Sequence, residues 1–197
     1  MRMREWGVLT WIGLGLAGCG YGFQNSHSEL LEKQGIHSIY VSPAVNKSYQ
    51  PGIDHTVYNA LIHQIAMHRR VRLAQHPEDS DAILTVVVAD ASVAQGAQST
   101  ASNLNPIGTG SSSVVVATSY VANLGCTLSL ARRGPGRVLT TIWTSTIGKS
   151  KGFPANNQLG LLGDTSALIN DSEFDRALSD LADDMASDAH ESMLDMF

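Results

Sequence analysis

The stretch Val114-Val115-Val116-Ala117-Thr118-Ser119-Tyr120-Val121-Ala122-Asn123-Leu124-Gly125-Cys126-Thr127-Leu128-Ser129-Leu130 decides the fold. Val114, Val116, Tyr120, Ala122, Leu124, Cys126, Leu128 and Leu130 recur at even positions, with Ser119, Asn123, Gly125, Thr127 and Ser129 between them. A period of two is that of an extended strand with one face covered and the other wet. At roughly 3.3 Å per residue the stretch would reach about 56 Å, more than a small sheet needs, so it must bend or project beyond its core.

Both flanks read as hairpins sharing this strand. Downstream, Gly134-Pro135-Gly136 makes a turn within Arg132 to Arg137, and Val138 to Ile147, rich in Thr, Ile and Trp, returns as a strand. Upstream, Ala82 to Ala89 is a β-branched run of strand length. The connection from 91 to 113, rich in Ser, Gly, Asn and Gln, reads as a mobile tip or one that a partner orders. Nearer the amino terminus, Ile36 to Val41 is a short strand, Asn46 to Gly52 a turn-rich loop, and Arg70 to Leu73 a short extended piece. Between them Ile53, Val57, Ala60, Leu61, Ile65 and Ala66 share one helical face up to His68, with Asp54 or Thr56 as cap.

Lys149 to Ile169 reads as loop, and Asn170 with Glu173 as a capping box opening a last helix. In that helix Phe174, Ala177, Leu178, Leu181, Met185, Ala189 and Met193 form one apolar stripe. The order β-α-β-β-β-α predicts an α+β fold: a four-stranded, mostly antiparallel sheet with two helices packed on one face.

The 197 residues carry 13 bases and 18 acids, a net charge of −5, which suits one domain and argues against nucleic acid as a partner. From Ala91 through Ala131 no Lys, Arg, Asp, Glu or His occurs, while residues 171 to 197 hold nine carboxylates against Arg176 alone. Bases gather at Arg69, Arg70 and Arg72, at Arg132, Arg133 and Arg137, and at Lys149 and Lys151. Three guanidiniums around one turn suit bidentate contact with phosphate, and the two lysines are the next candidates.

Catalytic motifs fail on inspection. Ile147-Gly148-Lys149-Ser150 ends like a phosphate-binding loop, but Trp143 stands where its first glycine belongs. Gly108-Thr109-Gly110 lacks the third glycine of a dinucleotide turn, and no G-x-S-x-G elbow occurs. His63 and His68, five apart, are poorly spaced for shared metal ligation. The expectation is a chain that is not an enzyme, with no metal and no cofactor.

Arg2 and Arg4 precede the apolar run Trp6 to Leu16, too short for a permanent span and built like an export signal. It ends in Leu16-Ala17-Gly18-Cys19, which resembles the lipobox of bacterial lipoproteins. Residues 1–18 are then a cleaved signal peptide and 19–197 a single domain, acylated on Cys19 and held to a membrane without spanning it. That leaves Cys126 as the one thiol, which its strand position marks as a buried hydrophobe.

Several short motifs resemble, in their order, the LptE family of lipopolysaccharide-assembly lipoproteins. They are Cys19-Gly20-Tyr21-Gly22-Phe23; Gly35-Ile36-His37-Ser38-Ile39-Tyr40-Val41-Ser42-Pro43 with Asn46-Lys47-Ser48 and Pro51-Gly52; Asn59-Ala60-Leu61; Ser80-Asp81-Ala82-Ile83-Leu84; and Ala177-Leu178 with Leu181-Ala182 in the acidic last helix. The 91–113 and 148–170 segments look longer than a minimal member needs. The resemblance implies a non-catalytic partner of the LptD barrel on the periplasmic face of the outer membrane. It would sit as a plug in the barrel lumen, stabilise barrel assembly and help lipopolysaccharide reach the outer leaflet. A lipid-anchored regulator of a peptidoglycan synthase, or a component of a secretion pore, is the alternative with the same architecture.

Overall fold

The strand at the centre, β7 (Ser119–Arg133), follows the period-two pattern: Ala122, Leu124, Cys126, Leu128 and Leu130 are buried and the residues between them are half-buried. It lies in a computed structural model that describes residues 34–68, 70–102, 113–155 and 166–195. The remaining elements are β1 (Ser38–Val41), β2 (Val45–Asn46), α1 (Ile53–His68), β3 (Arg72–Leu73), β4 (Ala82–Gln95), β5 (Gln98–Ser102), β6 (Ser113–Ala117), β8 (Leu139–Pro154) and α2 (Ser166–Asp195).

The expected α+β class stands, but the sheet differs from the four-stranded, mostly antiparallel one. It is six-stranded and mixed, in the order β3-β1-β4-β7-β8, with β2 also paired to β4. β4–β7 and β7–β8 are antiparallel, as hairpins require, whereas β1 runs parallel to both β3 and β4 and β2 parallel to β4. Helix α1 carries the chain back to the end it started from, so the strand after it aligns with β1.

Both helices cover one face. Ile53, Val57, Leu61 and Ile65 of α1 meet Leu178, Leu181, Met185 and Ala189 of α2 in a single apolar cluster with β1, β4, β7 and Trp143 and Phe153 of β8. Phe153 also lies between Tyr120 and Phe174, with ring centroids 5.7 and 6.2 Å apart.

Three segment assignments are corrected. The stretch expected as one strand is broken at Thr118 into β6 and β7. There Gly96 N–H donates to Ser119 O at 2.9 Å and Ala97 N–H to Ser119 Oγ at 2.8 Å. A side chain at Gly96 would place its Cβ 2.4 Å from that Oγ, so glycine is what lets the hairpin bend. Next, the 91–113 connection is strand at both ends, since β4 runs to Gln95 and β5 pairs with β6 from Gln98↔Ala117 to Ser102↔Ser113. Residues 103–112 lie outside the described ones. Finally, part of the 149–169 loop is strand and helix, because β8 continues to Pro154 and α2 begins at Ser166, so Asn170 sits inside the helix and does not cap it. Cross-strand pairing to β7, from Gly125↔Gly148 to Ser119↔Pro154, overrides the weak strand preference of Gly148-Lys149-Ser150-Lys151-Gly152.

Candidate functional site

Two surfaces stand out, and each follows from strand register. The first is the sheet end where β1, β3, β4 and β8 begin and β7 finishes. Register runs across it from Arg72↔Ser38 to Ile39↔Ala82, Ala82↔Arg132 and Arg132↔Thr140. Three interstrand steps of about 4.8 Å put Arg72 roughly 14 Å from Arg132. Two basic clusters far apart in sequence thus meet at one end, which gathers Arg70, Arg72, Arg132, Arg133 and Arg137 among the described residues. Both helices finish here too, with His68 of α1 stacked on His190 of α2 at 4.7 Å between centroids. Helix C-termini carry partial negative charge and so favour nearby cations.

The turn is tight, with Gly134 N–H donating to Val138 O at 2.8 Å. Gly136 adopts φ 76° and Arg137 φ 64°, the latter a left-handed conformation that costs a side-chain-bearing residue about 1–2 kcal/mol. Arg132 Nη1 donates to Gln34 O at 3.3 Å, and Arg133 Nη2 donates to Pro77 O while its buried Nε has no protein partner. Val138 and Leu139, next to Arg137, are 63% and 52% exposed. Among the described carboxylates at this end, Glu78, Asp79 and Glu191, the last beside His190 on α2, are exposed. Asp81 accepts from His37 N–H, Ser38 N–H and Ser38 Oγ at 2.9, 2.9 and 2.8 Å. Burial pushes the Asp81 carboxyl up, and these hydrogen bonds outweigh it, holding the carboxyl below its ordinary value.

Lys149 and Lys151 are elsewhere. They pair with Leu124 and Ala122, eight and ten residues, or roughly 26 and 33 Å, up the sheet from Arg132. Directly opposed residues share a face, so both lysines lie on the helix side and meet acids of α2. Lys149 Nζ sits 2.5 Å from Asp188 Oδ2 and Lys151 Nζ 2.5 Å from Asp180 Oδ2. The Asp188 hydrogen bond raises the Lys149 pKa, and that from Lys151 lowers the Asp180 pKa. The structure therefore separates the lysines from the arginine turn. Arg69 and Cys19 lie outside the described residues.

The second surface is the sheet face opposite the helices, formed by alternate residues such as Thr85, Asn123, Thr127, Ser129, Thr144, Thr146 and Ser150. Ser150 Oγ donates to Asn123 Oδ1 at 2.8 Å, and Thr127 Oγ1 lies 3.4 Å from Thr146 Oγ1. A one-residue irregularity between Val88 and Asp90 brings Asp90 onto this otherwise neutral face. Hydroxyls and small side chains make its β7–β8 half wettable, Tyr40, Val45, Ile83 and Val87 make the half over β1, β2 and β4 more apolar, and no helix covers it among the described residues.

Little else offers chemistry. Among the described residues no group of three or more His, Cys, Asp or Glu is placed to hold a metal. Cys126 is buried, and desolvation pushes its thiol up to about 12, far from a reactive thiolate. Leu61, Ile65, Leu128, Trp143, His190 and Met193 border a small apolar cavity, where Trp143 Nε1 is buried without a protein partner. No helix among the described residues is long and apolar enough to cross a membrane.

The profile of the LptE lipopolysaccharide-assembly family matches residues 36–195, spanning every described strand and both helices. The chain belongs to the LptE family. The LptE fold here is similar to rare lipoprotein B from Shewanella oneidensis, at 14% identity and TM-score 0.45, covering 81% of this chain and 95% of that one. It is also similar to lipoprotein GNA1162 from Neisseria meningitidis, at 14% identity and TM-score 0.41, covering 69% and 97%. A third likeness is to an uncharacterized lipoprotein B from Nitrosomonas europaea, at 12% identity and TM-score 0.41, covering 77% and 81%. No curated protein sequence matches the chain. As a member of the LptE family it is a lipopolysaccharide-assembly lipoprotein of the cell envelope. The family is non-enzymatic.

Proposed function

We propose that this chain is a non-catalytic lipoprotein, anchored to the periplasmic face of the outer membrane through Cys19, that plugs the lumen of an LptD-type barrel. There it assists barrel assembly and the passage of lipopolysaccharide to the outer leaflet. Family membership supports the lipopolysaccharide role. The observation that carries the plug reading is the uncovered sheet face, hydroxyl-rich along β7 and β8 and continuous with a sequence free of charge from Ala91 through Ala131. A polar barrel interior accepts such a surface at little desolvation cost, and enclosure there shields the long β8 edge from edge-to-edge aggregation.

Lipopolysaccharide phosphates are assigned to Arg132, Arg133 and Arg137. Lys149 and Lys151, already paired with α2, are the weaker candidates. Pull-down of the full chain from detergent-solubilised outer membrane tests the partner: a large barrel is expected, and recovery of a peptidoglycan synthase or a secretion pore instead overturns the reading. Globomycin should accumulate the uncleaved form, and an unmodified Cys19 in the intact mass would refute the anchor. For the phosphate site, the triple Arg→Ala variant should bind lipopolysaccharide at least tenfold more weakly than wild type, from roughly 1.5–3 kcal/mol per charge-assisted bond less screening. Unchanged affinity moves the site away from this turn.

A further inference from the structure

We propose that the free edge of β8, from Thr144 to Gly152, takes up an extended segment of the barrel chain as an added strand. This rests on the plug reading and goes beyond it by naming the part of this chain that grips the partner and the form of what it grips.

Register fixes which backbone groups are free. Ala155 N–H donates to Thr118 O at 3.1 Å and Gly96 N–H to Ser119 O at 2.9 Å, so even-numbered residues of β7 turn their backbone groups to β8 and odd-numbered ones to β4. Pairing then continues without a slip from Ser119↔Pro154 to Leu130↔Trp143, with bonding direction alternating along each strand. The odd residues of β8 from Trp143 to Phe153 therefore bond to β7. Thr144, Thr146, Gly148, Ser150 and Gly152 aim their N–H and C=O groups outward, and all of them are exposed. No described strand meets them.

Both ends of this window are closed, and its middle is unguarded. Ile142 is an extra residue between the partners of Leu130 and Ala131, and Pro154, at an outward position, has no N–H to offer. Between them the edge runs for about 27 Å. Charged side chains commonly guard such an edge, but Lys149 and Lys151 are turned to the helix side and tied to Asp188 and Asp180. The strand at the other end of the order, β3, has only Arg72 and Leu73.

Glycine supplies a second, independent observation. Gly148 pairs with Gly125, its φ lies outside the left-handed region, and a Cβ built on it meets nothing within 4 Å, so the fold itself does not call for glycine there. Two bare residues side by side leave a slot on the uncovered face between Thr146, Ser150, Asn123 and Thr127. An aromatic side chain on an adjoining strand packs over such a glycine.

A closed barrel leaves no wall strand unpaired, so the added strand comes from a loop or terminal segment of the barrel chain that enters the lumen. It is about nine residues long at the strand rise, free of proline where its N–H groups meet β8, and carries an aromatic residue opposite Gly148. Main-chain bonds give the affinity and the slot gives the register. A second copy of this chain would fit the same edge, but a β8–β8 pair doubles the width of the plug and competes with entry into one lumen.

The test uses the full acylated chain co-expressed with its barrel. A photo-crosslinking side chain at position 146 and, separately, at position 150 should join one segment of the barrel chain, at sites four residues apart and outside its membrane strands. Thr146→Pro together with Ser150→Pro removes two N–H groups that β7 does not use, and should weaken the complex by about two- to tenfold per hydrogen bond lost. Gly148→Val controls for misfolding: the urea midpoint of the free chain should equal or exceed wild type, since valine favours strand, while the filled slot weakens the complex. Crosslinks scattered over the wall strands, or wild-type binding by both variants, overturn the proposal and leave the plug reading standing. So does exchange protection of amides 144, 146, 148 and 150 in the free chain, which assigns the edge to the chain's own residues. A free-chain dimer that the proline variant dissolves assigns it to a second copy and overturns the proposal as well. Recovery of no barrel by the wild-type chain refutes the plug reading, and the added strand with it.

Discussion

Cys126 and His190 are both buried titratable groups, and burial moves them in opposite directions because it penalises whichever form is charged. For Cys126, with its pKa near 12, maleimide should leave the native protein unlabelled and react fully after urea unfolding; native labelling would mean the β7 core opens. His190 is pushed down to about 4, first by burial and then by His68 and Arg70. Its folded pKa lies below the unfolded value near 6.5, so its neutral form contributes stability above pH 6.5 that is lost as pH falls from 6.5 to 4. At about 1.4 kcal/mol per unit the loss is at most roughly 3 kcal/mol. The urea midpoint should drop between pH 7 and pH 5, and His190→Leu should remove most of that drop. The burial of Cys126 was legible from its strand position alone. That of His190 was not, since its stacking partner belongs to the other helix.

At the scale of elements, α2 shows pattern and context in contrast. Its apolar stripe from Phe174 to Met193 was evident from spacing, and Ala177, Leu178, Leu181, Met185, Ala189 and Met193 are buried. Leu181→Ala should cost about 2–5 kcal/mol, read from urea denaturation, because a cavity opens between α2 and the core. Asp184→Ala on the exposed face should leave the midpoint near wild type. The upper half of β8 reads the other way. Glycines and lysines gave it the local chemistry of a loop, yet register against β7 makes it strand and places Lys149 and Lys151 opposite Asp188 and Asp180. These surface pairs bridge helix and strand, add little to the apolar seam that holds α2, and should weaken with salt.

For the whole molecule, protection should follow the number of neighbours each strand has. Amide exchange should be slowest in β7 from 121 to 131, which is flanked by β4 and β8, and faster in β5 and β6, which form a separate two-stranded sheet. Equal protection would show the ribbon to be held as firmly as the core. If the plug reading holds, adding the barrel partner should slow exchange along the uncovered face of β7 and β8, leaving the buried helix seam unchanged.

The one-sided central strand, the two hairpins, the first helix and the last helix with its apolar stripe were written in local periodicity, because side-chain alternation depends only on neighbours along the chain. Burial of Cys126 belongs with them. The parallel pairing of β1 with β3 and β4, the six-stranded order and the extended ends of β4 and β8 were not, since hydrogen bonding between distant segments decides them. The same holds for function. Three arginines in one turn can be seen in the sequence, but only the register from Arg72 across Ser38, Ala82 and Arg132 brings Arg70 and Arg72 to that turn, and only the fold draws Lys149 and Lys151 away to α2. Charge along a chain is local, whereas the field at a surface sums over whatever tertiary packing makes adjacent.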